Sequence, residues 1–496
     1  FLMIRRPPRS TLSIRRQRQM CIRDRCPCGR WATNAQSRSI NHWWYCKLND
    51  VVELPDLADE LVSVARENEQ IEVCVSRNRS TTVKAYSGEV ESVRSGKSEA
   101  VGIRIIVDGQ QGFATAGSLD RRVLSQVVEE ARGNLQFAES DPHQGVASPD
   151  GVESPNLDLV DPAVLQMSEE QKASLAIELE RRCLSADPRV SSVRSAAWSD
   201  GWGEFALAST TGISVYSEGG SCSVGVQPLA VEGNETQIGY AGDAARRPDS
   251  LDIDRVVEEA VEGATGMLGA KKPLSERLTV VLEPGVAAAF LGTIAGALTG
   301  DRVVKGRSPF AERLGEQVGA SILTLFDDPT NIDSLGADNH DGEGLAARKN
   351  MIIEKGVLSQ FLHNSYTGRR VGVSSTGSAV RGPRSTPSVG VHALCLDPGT
   401  GDRDTLFQEV GSGIFVRGVN GLHSGVNPVS GDFSVGAYGH KISDGALAEP
   451  FSEATIASTL QRMLLDVVAI GGDFEFLPGG SGMASIAIED VALSGM

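Results

Sequence analysis

Apolar and polar residues alternate along this chain in two rhythms, and the switches between them mark its elements. Over 56–68, apolar residues fall at Leu57, Leu61, Val64 and Ala65, the three-to-four spacing of a helix face. A period of two then takes over at 71–76, 81–86, 89–95, 99–107 and 112–115. These short stretches, rich in Val and Ile and parted by Ser-Gly and Asp-Gly turns, predict a meander of strands. Ser118-Leu119-Asp120 follows as an N-cap for a helix that contains Val-Val-Glu-Glu-Ala at 127–131. The succession recurs: a helix over 169–184, strands at 190–198, 204–209, 214–218 and 221–229, then Ser250-Leu251-Asp252 before a second Val-Val-Glu-Glu-Ala at 256–260. Val101-Gly102-Ile103 and Val224-Gly225-Val226 hold matching places in the two copies, so the pattern predicts a duplicated unit of helix, β-meander and helix.

Beyond Lys271-Lys272-Pro273 the chain changes character, with glycines spaced through β-rich sequence to the end. One helix is predicted over 286–298, after Pro284-Gly285, with Val286, Phe290, Ile294, Ala297 and Leu298 on a single face. Its other residues are small and include Gly292 and Gly296. Glycine inside a helix costs about 1 kcal/mol relative to alanine, so something is expected to pack on that bare side. A last helix is predicted over 455–470 from Ile456, Leu460, Met463, Leu464, Val467 and Val468, with closing strands at 473–476 and 484–488. The fold class is therefore α+β: two β-meander/helix units, then a mainly antiparallel, barrel-like β domain with few helices. The expected division is 51–138 for the first unit, a Pro-, Asp- and Ser-rich linker at 139–162, the second unit at 163–272, and the β-rich domain at 273–496.

Charge changes the picture at one end. Residues 1–50 carry a net +9, which leaves −26 on the remaining 446 residues of a chain whose total is −17. An acidic body repels nucleic-acid backbones, which disfavours nucleic acid as a partner. The arginine-rich leader has no apolar core and is not a secretory signal. It resembles a translated sequencing-adapter read-through, and 1–50 are expected to be a non-native or disordered leader outside the fold. Cys26 and Cys28, near Cys21 and Cys46, lack the second matched pair of a zinc site. Cys74, Cys183, Cys222 and Cys395 are scattered and read as reduced core thiols of a cytoplasmic protein. No stretch reaches the roughly 18–20 continuous apolar residues that a membrane helix needs.

Four groups of residues could carry chemistry. Asp327, Asp328, Asp338, His340, Asp341 and Glu343 offer oxygen ligands for Mg²⁺ or Ca²⁺ but lack EF-hand spacing; as turn-capping residues beside Gly336, Gly342 and Gly344 they need no metal. Asp301, Lys305, Arg307 and Ser308 follow the glycine-bearing helix, where cations complement its dipole or contact a peptide. His423, Asp432 and Ser434 lack the elbow and orienting geometry of a serine hydrolase, and Phe433, Val435 and Ala437 read as an ordinary half-buried strand. His392 and Cys395 fall on opposite faces of a period-two run, which makes Cys395 a core thiol.

The runs GDRVVKGRSPFAERLGEQV, FDDP, DNHDGEG, VNPVSGDFSVGAYG and VAIGGDFEF resemble the TldD/PmbA family of peptidase subunits, also called modulators of DNA gyrase. The resemblance covers roughly 70–496. It implies two branches: a TldD branch whose helix carries His-Glu-x-x-x-His and, with a downstream cysteine, holds zinc, and a PmbA (TldE) branch without those ligands. Here the helix has Leu291, Gly292 and Gly296, no histidine lies between His143 and His340, and no cysteine follows Cys395. The chain is similar to the PmbA/TldE-type branch. By resemblance it would be a metallopeptidase-family subunit without catalytic or metal-binding residues of its own. It would form a heterodimer with a TldD-type subunit in which zinc is expected, and the pair would degrade unfolded or extended peptides; a homodimer is left open. Gly292, Gly296, Asp301, Lys305, Arg307, Ser308, Asp341 and Glu343 are the expected cleft or peptide-contacting residues. Two alternatives stand beside this: a self-sufficient hydrolase with a metal among Asp338–Glu343, and a regulatory binding protein with no peptidase link.

Overall fold

The computed structural model describes residues 53–496, and the expectations for the leader lie outside the described residues. The chain runs α1 (Leu54–Val62), β1 (Gln70–Tyr86), β2 (Glu89–Val107), β3 (Gln110–Ala116) and α2 (Arg121–Asn134). After a long connection come α3 (Pro162–Gln166), α4 (Glu169–Ala186), β4 (Val190–Ser209), β5 (Ser214–Glu232), β6 (Glu235–Ile238), β7 (Ala241–Ala245) and α5 (Ile253–Thr265). The helix starts follow the capping residues in the sequence. Asp120 accepts from the Arg122 N–H and Asp252 from the Arg255 N–H, while Ser168 and Gln171 close a capping box on α4.

The two copies do not form separate sheets. β1 pairs antiparallel with β4, and the strand order β3-β2-β1-β4-β5 continues into β6 and β7, giving one seven-stranded sheet. The duplication shows in matching close approaches of strand to helix. A side chain at Gly112 would collide with the Ala131 carbonyl, and one at Gly239 with the Ala260 carbonyl, and these alanines end the two Val-Val-Glu-Glu-Ala runs. The strands are far longer than their sequence suggests. The predicted pairs 71–76 with 81–86 and 190–198 with 204–209 are the single strands β1 and β4, of 17 and 20 residues. Arg77 to Ser80 and Asp200 to Gly203 interrupt the apolar pattern, yet their ladders are satisfied on both sides because the two copies share an interface there. α1 also differs: it starts at Leu54 and ends at Val62, leaving Val64 exposed.

The C-terminal part contains β8 (Glu276–Leu282), α6 (Pro284–Ala297), α7 (Gly300–Val304), β9 (Leu325–Asp327), β10 (Asn350–Glu354), β11 (Val357–Leu358) and α8 (Ser365–Val371). Then follow β12 (Ala379–Val380), β13 (Ser388–Val389), β14 (Leu394–Leu396), α9 (Arg403–Val410), β15 (Gly413–Asn420), α10 (Leu422–Gly425), β16 (Asp432–Ser443) and β17 (Ala446–Thr459). The chain closes with α11 (Leu460–Leu465), β18 (Val467–Ile470), β19 (Glu475–Phe476), β20 (Gly482–Met483) and β21 (Ile486–Ser494). β17, β16, β15, β8 and β21 form a ring, closed by β17 pairing β21, with β18 added on β21. A second six-stranded sheet runs β11-β10-β9-β14-β20-β19, and β12 and β13 form a short ribbon of their own. Barrel and sheets share one core into which α6 is packed.

The helix expected over 455–470 is a correction. Only Leu460–Leu465 is helical, with Thr459 as its cap; Ile456 belongs to β17 and Val467 to β18. Thr455, Ile456, Thr459, Val467 and Val468 are β-branched and suit strands, and burial of Ile456, Leu460, Met463, Leu464 and Val467 satisfies a strand–turn–strand path as well as a helix. The stretch 139–162, expected as a linker, lies against the C-terminal part. Asp141 accepts from the Tyr366 hydroxyl at 2.8 Å, Arg369 donates to the carbonyls of His143 and Gly145, and the Leu157 N–H donates to Asn339. Among the described residues no helix is long and apolar enough to cross a membrane.

Candidate functional site

Pro284 opens α6 at its first turn, where a missing N–H costs nothing. Val286, Phe290, Ile294 and Ala297 are buried as the spacing predicts, and Phe290 meets Phe433 of β16 edge to face at 6.0 Å. A second side of the helix, Ala287, Leu291 and Ala295, is buried too. What remains is a narrow outer strip with Gly285, Gly292 and Gly296 along it. A methyl group at any of the three would meet no atom within 4 Å. The bare side expected to be packed is therefore open within this chain.

That strip forms one wall of a groove of about 460 Å³. Thr299, Asp301 and Arg302 close one end, and 388–391 form the opposite wall. The opposite wall is a strand edge. Gly390 N–H donates to the Ser378 carbonyl and Ser388 is paired with Val380, so the backbone groups of Val389 and Val391 turn away from β12. A groove lined by glycine and by a strand edge that no other described strand pairs has the shape and hydrogen-bonding groups for an extended backbone.

The sequence-predicted residues divide. Gly292, Gly296 and Asp301 line the groove together. Lys305 pairs with Asp301 at 2.8 Å, Arg307 is exposed, and Ser308 accepts from the Phe310 N–H at 3.1 Å and so caps a turn. Thr299, Arg302 and the strip 388–391 were missed. The strip shows a strand rhythm in sequence, but nothing there says which element it faces.

Asp341 and Glu343 lie elsewhere and are closed in, at 3% and 1% exposure. Asp341 accepts from the N–H groups of Glu343, Leu345 and Ala379, and Glu343 accepts from the Ser365 N–H at 2.8 Å, at the start of α8. Burial, reinforced by the Glu343 charge, pushes Asp341 up to about 7. Burial also raises Glu343, against the pull of Arg104. Beside them the N-terminal sheet meets the C-terminal part through buried charge. Glu72 of β1 takes a two-pronged contact from Arg104 of β2, at 3.1 and 2.9 Å, and a further hydrogen bond from Arg381. Burial works against ionised Glu72, but the two guanidiniums hold its carboxyl below the usual range. Cys395 is buried and its thiol is pushed up to about 11, as a core thiol should be.

Sequence profiles place the chain. The PmbA/TldA metallopeptidase domain 1 profile matches residues 71–135, the central domain profile 162–268, and the C-terminal domain profile 275–495. The chain belongs to the TldD/PmbA metallopeptidase family. Metalloprotease PmbA of Escherichia coli O157:H7 is 27% identical over 427 residues, covering 84% of this chain and 92% of that protein. A PmbA homolog of Haemophilus influenzae is 28% identical over 415 residues, covering 82% and 88%. In fold, the chain is similar to TldE from Thermococcus kodakarensis, with a TM-score of 0.80 and 22% identity over 89% of this chain and 99% of the other. A proposed modulator of DNA gyrase from Thermotoga maritima gives a TM-score of 0.81 at 23% identity over 89% and 100%.

A metallopeptidase family raises the question of zinc. A zinc site needs three or four nitrogen, sulfur or carboxylate donors converging at about 2.0–2.3 Å. α6 offers hydrocarbon, bare backbone and a single hydroxyl, that of Thr293, which donates to the Ala289 carbonyl. Glu283 precedes it, a half-buried carboxyl pushed up to about 7 chiefly by desolvation, against the pull of Arg417 and Arg403. Among the described residues no group of three or more His, Cys, Asp or Glu side chains is placed to hold a metal ion. The described residues do not fit zinc.

Proposed function

We propose that this chain is the non-catalytic, PmbA/TldE-type subunit of a cytoplasmic two-subunit peptidase. Its partner is a TldD-type subunit that carries the zinc, and together they degrade unfolded or extended peptides. This chain supplies wall and peptide contact. The observation that carries the reading is the outer strip of α6: a helix with no His, Cys, Asp or Glu, whose glycines line an open groove together with a strand edge that no other described strand pairs. A peptidase helix that held a catalytic ion would need side chains there. A helix that lets a polypeptide approach needs their absence.

Within this reading Gly292, Gly296, Asp301 and Arg302 contact the peptide, and the backbone of Val389 and Val391 pairs with it. Lys305 steadies Asp301, Arg307 and Ser308 shape the turn beside the groove mouth, and Asp341 and Glu343 hold the surrounding loops from behind. The segments 51–138, 163–272 and 273–496 serve as two sheet-building units and a groove-bearing domain.

The test is metal content and peptidase activity of the chain alone and with a TldD-type partner. The chain alone is expected to bind no stoichiometric zinc and to cleave nothing, and the pair is expected to cleave an unstructured peptide. A transition metal held by the C-terminal part, or cleavage by the chain alone, would overturn the reading.

A further inference from the structure

The groove's strand edge is anchored at one end by a carboxylate that is only half used. Asp327 of β9 is fully buried. Its Oδ1 accepts from two successive backbone N–H groups, His392 at 3.0 Å and Ala393 at 2.7 Å, so it holds the chain directly after 388–391. Among the described residues its Oδ2 has no hydrogen-bond partner, and neither does Nδ1 of His392. The two orphan atoms face each other at 3.8 Å, too far for a hydrogen bond and close enough to become one with a small rotation. A buried carboxylate oxygen left without a donor is costly, and an imidazolium is the nearest group that could supply one.

We propose that His392 and Asp327 form a proton-operated latch on the groove. With His392 protonated, Nδ1–H closes on Asp327 Oδ2 and the 388–391 edge is pinned; when the proton leaves, the clasp slackens and the edge gains freedom.

The charges acting on His392 are those of Asp327 on β9 and of Asp341 and Asp338 on the loop between β9 and β10. Burial alone would lower the imidazole, but the hydrogen-bonding and charge of Asp327, with the other two carboxylates, outweigh it and raise it above the ordinary value. A base whose folded value is raised adds stability that is fully present below its unfolded value, about 6.5, and is lost as pH climbs through the folded value. The edge is therefore held firmly in mildly acidic conditions and loosely in alkaline ones. The consequence for peptide binding rests on the reading of the groove given above, whereas the latch itself does not.

Hydrogen–deuterium exchange of the His392 and Ala393 amides, corrected for intrinsic rates and followed from pH 6 to 8.5 on the full chain, tests it. Protection in the native protein is expected to fall by up to about tenfold per pH unit between the ordinary and the raised imidazole values. His392→Gln and Asp327→Asn should each flatten that slope, and the His392 ring proton should titrate above the ordinary imidazole range by NMR. Asp341 and Glu343 also titrate below neutrality, so part of the slope should remain in His392→Gln; a flat native profile, or a slope undiminished in His392→Gln, would overturn the latch. Because the readout involves no metal, partner or peptide, that failure leaves the subunit reading standing.

Discussion

The acidic loop around Asp341 and Glu343 and the glycine strip of α6 are opposites. The loop is dense in chemistry and closed. Its carboxyl groups are spent on backbone N–H groups, and an ion pair seals the joint beside it. The strip carries no functional group and is open. Reactive residue types therefore mark where this protein is held together, and their absence marks where its surface is open. Buried polar groups are retained when they are paired, whereas a surface kept bare at a cost to helix stability points outward.

The sharpest way to break the comparison is to unseal the loop's side of it. Glu72 is the carboxylate partner of both Arg104 and Arg381, and two further nitrogens of Arg381, Nε and Nη2, have no partner among the described residues. Glu72→Ala leaves two buried guanidiniums uncompensated and is expected to destabilise the chain by about 3–5 kcal/mol. Urea unfolding read by tryptophan fluorescence would show it as a lower midpoint. A loss below about 1 kcal/mol would mean that water reaches the joint and that it is not sealed.

A smaller effect separates glycines that the fold needs from glycines that it does not. At Gly300, just beyond α6, a methyl group would press on the His363 ring, with Thr367 behind it. Gly300→Ala should cost about 1–3 kcal/mol through this overpacking. Thermal unfolding beside the variants of α6 makes the contrast direct.

How much of this could be read from the sequence depended on how local each signal was. The caps at Asp120, Ser168 and Asp252 and the buried stripe of α6 were legible, because spacing alone fixes them. Strand length was not, since Arg77 to Ser80 look like a break until β4 is seen to pair with them. Nor was 455–470, where one apolar spacing serves a helix and a strand–turn–strand path alike. At the site, Gly292, Gly296 and Asp301 could be named because they lie on one helix and the short helix directly after it. The wall at 388–391 could not, since its place depends on a ribbon formed with Ala379–Val380. Glu72 and Arg104 escaped for the same reason: the partner that explains them, Arg381, lies about 300 residues away.

The pH dependence of stability sharpens the same contrast. Asp341, pushed up to about 7, and Glu343, also raised, are held above their unfolded values. Their contribution is therefore fully present below the ordinary carboxylate range and is lost as pH rises toward neutrality. Glu72 has the reverse sign and supports the fold once it is ionised. Glu343→Gln keeps an oxygen for the Ser365 N–H and removes the titration, so the decline in melting temperature from about pH 5 to 7 should become shallower. An unchanged profile would place the relevant proton elsewhere.

The smallest expected effect bears most directly on function. Gly292→Ala and Gly296→Ala add a methyl group where no atom stands within 4 Å. Each should stabilise the isolated chain by up to about 1 kcal/mol, because alanine is the better helix former and nothing is displaced. If the strip exists so that a polypeptide can come close, larger residues at the same positions should stay folded and lose peptide. Gly296→Leu, placed in the chain and then in the complex with a TldD-type partner, should leave the melting temperature within a few degrees while cleavage of an unstructured peptide falls. A variant that is stabilised and fully active would show that the groove is merely vacant surface. One that unfolds would show that some packing on α6 had been overlooked. The two glycines are informative because alanine would serve the isolated helix better and nothing within the described residues stands in its way.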